Sequence, residues 1–129
     1  MNRILSNGLP LIAVFAAVVA LLGAPKPATA QNNACNCVLY ARSQVPSLPF
    51  GLNTQPQKAA IINSYTPSIG AVAVFSYNHV AVVTRVETIV RPSGNYVVVT
   101  ITEANYIACQ IGTRRGIPAS LGIIGYFRP

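Results

Sequence analysis

One imidazole stands in this chain, at His79, in the phrase Tyr77-Asn78-His79-Val80-Ala81-Val82-Val83. With it come three cysteines, Cys35, Cys37 and Cys109, and two carboxylates, Glu87 and Glu103. That inventory suits one kind of chemistry. A cysteine hydrolase needs a thiol, an imidazole to take its proton, and a polar group to hold the imidazole. Only His79 can supply the imidazole. Cys37 opens a helix-like stretch, Asn36 to Arg42, and Glu103 and Asn105 close a strand-like stretch. Cys37, His79, Glu103 and Asn105 therefore form the candidate catalytic set.

Placing Cys37 near a helix start is chemically sensible. The first-turn amides and the helix dipole favour the thiolate and lower the thiol pKa. The same amides can stabilise a developing oxyanion. In an exported protein the ordinary fate of a cysteine is a disulfide, and three cysteines leave one over after any single pairing. We expect Cys35 to pair with Cys109, whose loop, four residues past Asn105, should return near the helix start. Cys37 then stays free. The alternative leaves Cys35 and Cys109 as two further free thiols.

Stepping outward from these residues, Asn33 or Asn36 can cap a helix running from about Ala34 or Cys37 to Gln44. Pro46, Pro49 and Gly51 break it. Thr54 caps a second helix, with Pro56 near its first turn, over Gln57 to about Tyr65. That helix is expected to bury Ala60, Ile61 and Tyr65. After Gly70 the pattern becomes β-prone, at 71–75, 79–90, 96–105 and 122–128, with a hairpin connection at 91–95. The fold class is α+β, with N-terminal helices packed on a small antiparallel sheet.

Strand alternation puts His79, Ala81, Val83, Arg85 and Glu87 on one face, and Val97, Val99, Ile101, Glu103 and Asn105 on one face of the partner. A five-residue loop pairs Val90 with Tyr96, so that opposed residue numbers sum to 186; a tighter turn gives 184. Either even register keeps His79, Glu103 and Asn105 together, whereas a bulge that makes it odd separates them. Glu87 lies eight residues along the strand from His79, about 26 Å away. Glu103 is the acid left for the ring.

Residues 1–30 read as an export signal. Arg3 is the positive start, Leu11 to Ala24 is apolar or small, and Ala28-Thr29-Ala30 fits a cleavage site, making Gln31 the first mature residue. The fourteen-residue run is shorter than the roughly 20 residues a spanning helix needs, and Pro25 and Pro27 end it. No lipid-anchor cysteine follows it, so no membrane anchor is expected after cleavage. The expected location is periplasmic or extracellular. Residues 31–129 form one domain, expected to be a monomer, with seven Lys and Arg against two Glu, a net +5. The basic residues are scattered, which argues against nucleic acid as a partner. An anionic envelope polymer or membrane surface suits the charge, as does simple solubility.

The phrases Asn36 to Arg42, Pro67 to Phe75, His79 to Val83, Glu103-Ala104-Asn105 and Gly125 to Pro129, in this order, resemble the CHAP family of papain-like cysteine peptidoglycan hydrolases. The resemblance covers about Asn36 to Pro129. It implies Cys37 as nucleophile, His79 as general base and then acid, and Glu103 and Asn105 as the groups that orient and polarise the ring. Asn36 stands where the family often has Gln, which makes it an oxyanion candidate. Asn78 stands where the family often has Gly, a mild change because Asn tolerates left-handed backbone. The implied substrate is a peptidoglycan amide bond, either between the sugar lactyl group and L-alanine or within the stem or cross-bridge peptide. No cofactor is implied. The acidic calcium loop of some members has no counterpart here, since the chain lacks Asp. The alternatives are a catalytically inactive CHAP-like wall-binding or interaction module, a disulfide-stabilised structural protein using Cys37 as a crosslink, and an exported antibacterial toxin with the same chemistry.

Overall fold

A computed structural model describes residues 33–129. The export segment 1–30 and the cleavage point before Gln31 lie outside the described residues. The chain is α+β: helices α1 (Cys37–Gln44), α2 (Gln55–Ala59) and α3 (Pro118–Leu121), and strands β1 (Val72–Phe75), β2 (Val80–Ile89), β3 (Tyr96–Ala104), β4 (Ile111–Gly116) and β5 (Ile123–Phe127). The strands make one five-stranded sheet in the order β4-β3-β2-β1-β5, antiparallel throughout.

α1 begins where Asn36, in extended conformation, turns its side-chain oxygen onto the N–H groups of Val38 and Leu39. This satisfies two of the amides that a helix start leaves without partners. The helix stops at Val45, before Pro46, whose ring disfavours helical geometry in the residue preceding it. Arg42 then holds the returning chain by donating to the carbonyls of Leu48 and Pro49.

α2 starts from a reciprocal capping box between Thr54 and Gln57, with Pro56 in the first turn. It is five residues long and does not reach Tyr65. Just past it, Asn63 and Ser64 bond to the backbone of Tyr126 on β5, so sheet pairing captures the chain that the sequence pattern assigns to helix. Such a short helix has too few internal bonds to compete. Tyr65 is consequently 81% exposed, and Ala60 is exposed as well. What α2 buries is Lys58.

The central strands are covered on both faces. Val72, Val74, Val80 and Val82 pack with Val38, Ala41 and Val45 of α1 and with Leu48 and Leu52. Ala73, Phe75, Ala81, Val83, Val99 and Ile101 pack on the opposite face with Ile123 and Tyr126. This two-sided burial is why β1 reads as an unbroken apolar run rather than an alternating one. On the outer edge Gly125 lets β5 approach Ile62, since a Cβ there would lie 2.6 Å from an Ile62 methyl carbon.

The β2–β3 register departs from both even expectations near the loop. Ile89 pairs with Tyr96 and Arg85 with Thr100, an odd sum of 185. A bulge between Val83 and Arg85 then resets the ladder, so that Val83 pairs with Ile101 and Val82 with Thr102, a sum of 184. The face occupied by Ala81 and Val83 continues into Val86, not into Arg85 and Glu87 as expected. β4 and α3 lie where the sequence pattern predicts no element. β4 carries two glycines, two arginines and little apolar patterning, as an edge strand can.

Among the described residues no helix is long and apolar enough to cross a membrane. Cys35 and Cys109 are joined by a disulfide, which ties the segment entering α1 to the β3–β4 loop. Cys37 is free.

Candidate active site

Cys37 is the first residue of α1 and half-buried; His79 directly precedes β2 and is 4% exposed. The His79 ring and the Val80 backbone N–H both act on the Cys37 sulfur to favour its thiolate. On its other side the ring meets Glu103, with Nε2 2.8 Å from Oε1. Since Glu103 is a carboxylate, Nε2 carries the hydrogen and donates. The nitrogen left for the sulfur is Nδ1. Aromatic rings fix the plane of the imidazole: Tyr77 stacks on it at 5.8 Å and 12°, Phe75 lies at 5.0 Å and Tyr106 at 6.1 Å.

Glu103 is itself held. Arg114 Nε donates to Oε2 at 2.6 Å and Nη2 to Oε1 at 2.8 Å, a bidentate clamp. The same guanidinium lies 3.5 Å over the Tyr106 ring and donates to the Tyr77 hydroxyl at 3.1 Å. Arg114 was not in the candidate set. It comes from β4, and its only sequence signal is an arginine pair in a chain with two carboxylates.

Asn105 does not meet the ring. It follows the last residue of β3 with φ at 64°, and its side-chain oxygen accepts from the Cys109 N–H at 3.0 Å. It closes the turn that leads to the disulfide. The expected orienting pair therefore reduces to Glu103 alone. The alternation that placed Asn105 beside His79 holds only while the strand continues, and β3 ends at Ala104.

Asn36 caps α1, one of the two roles expected of it. Its Oδ1 and the Val38 and Leu39 amides are committed to the helix cap. Among the described residues neither the Cys37 N–H nor Asn36 Nδ2 has a hydrogen-bond acceptor, and both residues border the cleft beside the sulfur. Glu87, the other acid, is bound to Arg115 and lies within 3.5 Å of Arg85.

Electrostatics complete the relay. Burial works to push the Cys37 thiol up, but the His79 hydrogen bond, the Val80 N–H and the positive charges of His79 and Lys58 outweigh it, and the thiol lies below its ordinary value. Burial opposes the charged form of His79 too, yet Cys37 and Glu103 together hold the imidazole above its ordinary value. Burial likewise penalises the Glu103 carboxylate, and Arg114 and His79 overcome the penalty and hold it below the usual carboxylate range. The three shifts all favour the charged forms, thiolate, imidazolium and carboxylate.

Cys37 opens onto a cleft of about 440 Å³ that also touches Asn36, Arg42, Lys58, Asn78 and Asn105. Lys58 is the second residue that sequence reasoning missed. Its ammonium donates to the Leu52 carbonyl at 3.0 Å and to Asn78 Oδ1 at 2.6 Å. A free thiol at a helix start and an imidazole held by a carboxylate, each shifted toward its charged form, form the equipment for attack on a carbonyl carbon. No protein-family model, curated protein or solved structure matches this chain.

Proposed function

We propose that the protein is an exported peptidoglycan hydrolase of the CHAP type, a papain-like monomer that cuts an amide bond through Cys37. The observation that carries this reading is the free thiol at the start of α1, kept toward the thiolate by a histidine that is itself held by a carboxylate. The nucleophile on a helix packed against a sheet that carries base and acid is what a papain-like enzyme requires. The net +5 of residues 31–129 suits an anionic wall polymer.

In the reaction the Cys37 thiolate attacks the amide carbonyl carbon. Negative charge moves to the carbonyl oxygen, where the Cys37 N–H and Asn36 Nδ2 receive it. The tetrahedral species collapses, the C–N bond breaks, and His79 Nδ1 gives its proton to the departing amine. His79, now neutral, takes a proton from water. The hydroxide attacks the thioester, and the sulfur leaves as thiolate as the imidazolium reforms. One amide and one water become one carboxylic acid and one amine.

Mass spectrometry of peptidoglycan digested with the purified protein tests the reading and identifies the bond. Soluble fragments are expected from the wild type and none from Cys37→Ala or His79→Ala, both with unchanged far-UV circular dichroism. Fragment release by Cys37→Ala would end the assignment. Retention on the wall without any cut would favour a binding module.

A further inference from the structure

Lys58 is 3% exposed, the one lysine or arginine buried among the described residues. Its two hydrogen-bond acceptors, the Leu52 carbonyl and Asn78 Oδ1, are neutral. An ammonium removed from water loses several kcal/mol of solvation unless an anion compensates it. The sequence holds two side-chain carboxylates. Both are committed elsewhere, Glu87 to Arg115 and Arg85, and Glu103 to Arg114 and His79. No side-chain carboxylate is left for Lys58.

One further potential anion borders the same cleft. Cys37 and Lys58 line the same cleft, and their charges act on one another. Facing the sulfur are the His79 ring and the Val80 N–H from the β2 side, and Lys58 from α2. Arg42 also borders the cleft, but its guanidinium is taken up by the Leu48 and Pro49 carbonyls and lies over the Phe50 ring at 4.3 Å. Facing Lys58 are Cys37, the Leu52 carbonyl and Asn78, whose own Nδ2 donates to the Asn53 carbonyl. Asn78 is the residue before His79, so the same ammonium pins the turn that delivers the imidazole.

We propose that Lys58 is a standing counter-ion of the Cys37 thiolate, a positioning residue that keeps the sulfur ionised independently of the protonation of His79. The thiolate then has two cations. His79 loses its charge as pH rises through its titration; burial lowers the Lys58 pKa and the Cys37 charge opposes that shift, and a standing counter-ion requires the ammonium to outlast the imidazolium. Above the imidazole titration the sulfur remains a thiolate, but His79 has no proton to give a leaving amine. Alkylation of Cys37 should stay fast there while amide hydrolysis falls.

The inference rests on Cys37 being the reactive thiol of the proposed hydrolase, but its test uses iodoacetamide and no peptidoglycan, so either can fail without the other. The rate of Cys37 alkylation is measured against pH for the wild type, Lys58→Met and His79→Ala. In Lys58→Met the midpoint should move up by about one pH unit, and alkylation below it should slow about tenfold. His79→Ala should keep a midpoint below that of an ordinary thiol, and combining it with Lys58→Met should remove what remains. Superimposable profiles for wild type and Lys58→Met would overturn the proposal. If Lys58→Met does not fold, the reciprocal measurement decides. In Cys37→Ala the Lys58 ε-carbon, followed by NMR, should titrate at lower pH than in the wild type, because linkage between two sites is mutual. An unchanged titration would also overturn it.

Discussion

At His79 two opposite demands meet, since Nδ1 has to exchange a proton with sulfur while Nε2 stays fixed on Glu103. The pH dependence of hydrolysis should carry both. The low limb reports Cys37, held below its ordinary value; the high limb reports His79, held above its own. Each shift extends, on its own side, the pH range in which thiolate and imidazolium can coexist. Glu103→Gln removes one of the two groups that raise the imidazole, so the high limb should retreat toward lower pH. Its kcat/KM should drop less than that of His79→Ala, for which a general base predicts about 10²- to 10⁴-fold. Asn105→Gly keeps the left-handed backbone and should leave both limbs in place. A high limb that moved in Asn105→Gly and not in Glu103→Gln would return the orienting role to Asn105. Much of the site was legible because its residue types are scarce: one histidine and two acids leave few combinations. Lys58 and Arg114 were not legible, because nothing in the local sequence marks a cation whose importance lies in neighbours 11 or more positions away.

Among the elements, β4 and the Thr84 bulge do the positioning that the sequence pattern left unread. Had the ladder run at 185 without a break, Glu103 would sit opposite Val82 and turn toward the α1 face. The bulge sets it opposite Ala81 instead, on the face shared with Phe75 and Ile101. Alternation of apolar residues reveals which strands exist, but a bulge leaves no such trace, so the parity of the register was not readable. The length of α2 was misread for a related reason, since Ser64 prefers a β5 partner that only the tertiary fold supplies. β4 then contributes Arg114, which with Glu103 makes a largely buried ion pair. Arg114→Leu strands that carboxylate and should destabilise the protein by about 3 kcal/mol in urea denaturation. A loss under about 0.5 kcal/mol, the size of a screened surface pair, would contradict this account. Glu103 is held below the ordinary carboxylate range, so its share of stability is complete above that range. It drains away as pH falls through the depressed value. In Arg114→Leu that acid sensitivity should begin at higher pH.

For the molecule as a whole, the core is two thin apolar layers on either side of three central strands, a small reserve for ninety-seven described residues. The Cys35–Cys109 bond spans 74 positions, and loop-closure entropy assigns it about 4.5 kcal/mol. That is a large share of the roughly 5–15 kcal/mol that keeps such a domain folded. Replacing both cysteines with alanine should lower the urea midpoint accordingly, and an unchanged midpoint would show that the bridge constrains nothing. The bond also joins the two segments that flank the site, one leading into the thiol's helix and the other leaving the carboxylate's strand. A reductant in the surrounding fluid would loosen both together, so durability and catalysis should fade in step. Such a molecule would be hardiest in oxidising surroundings and short-lived wherever glutathione is plentiful.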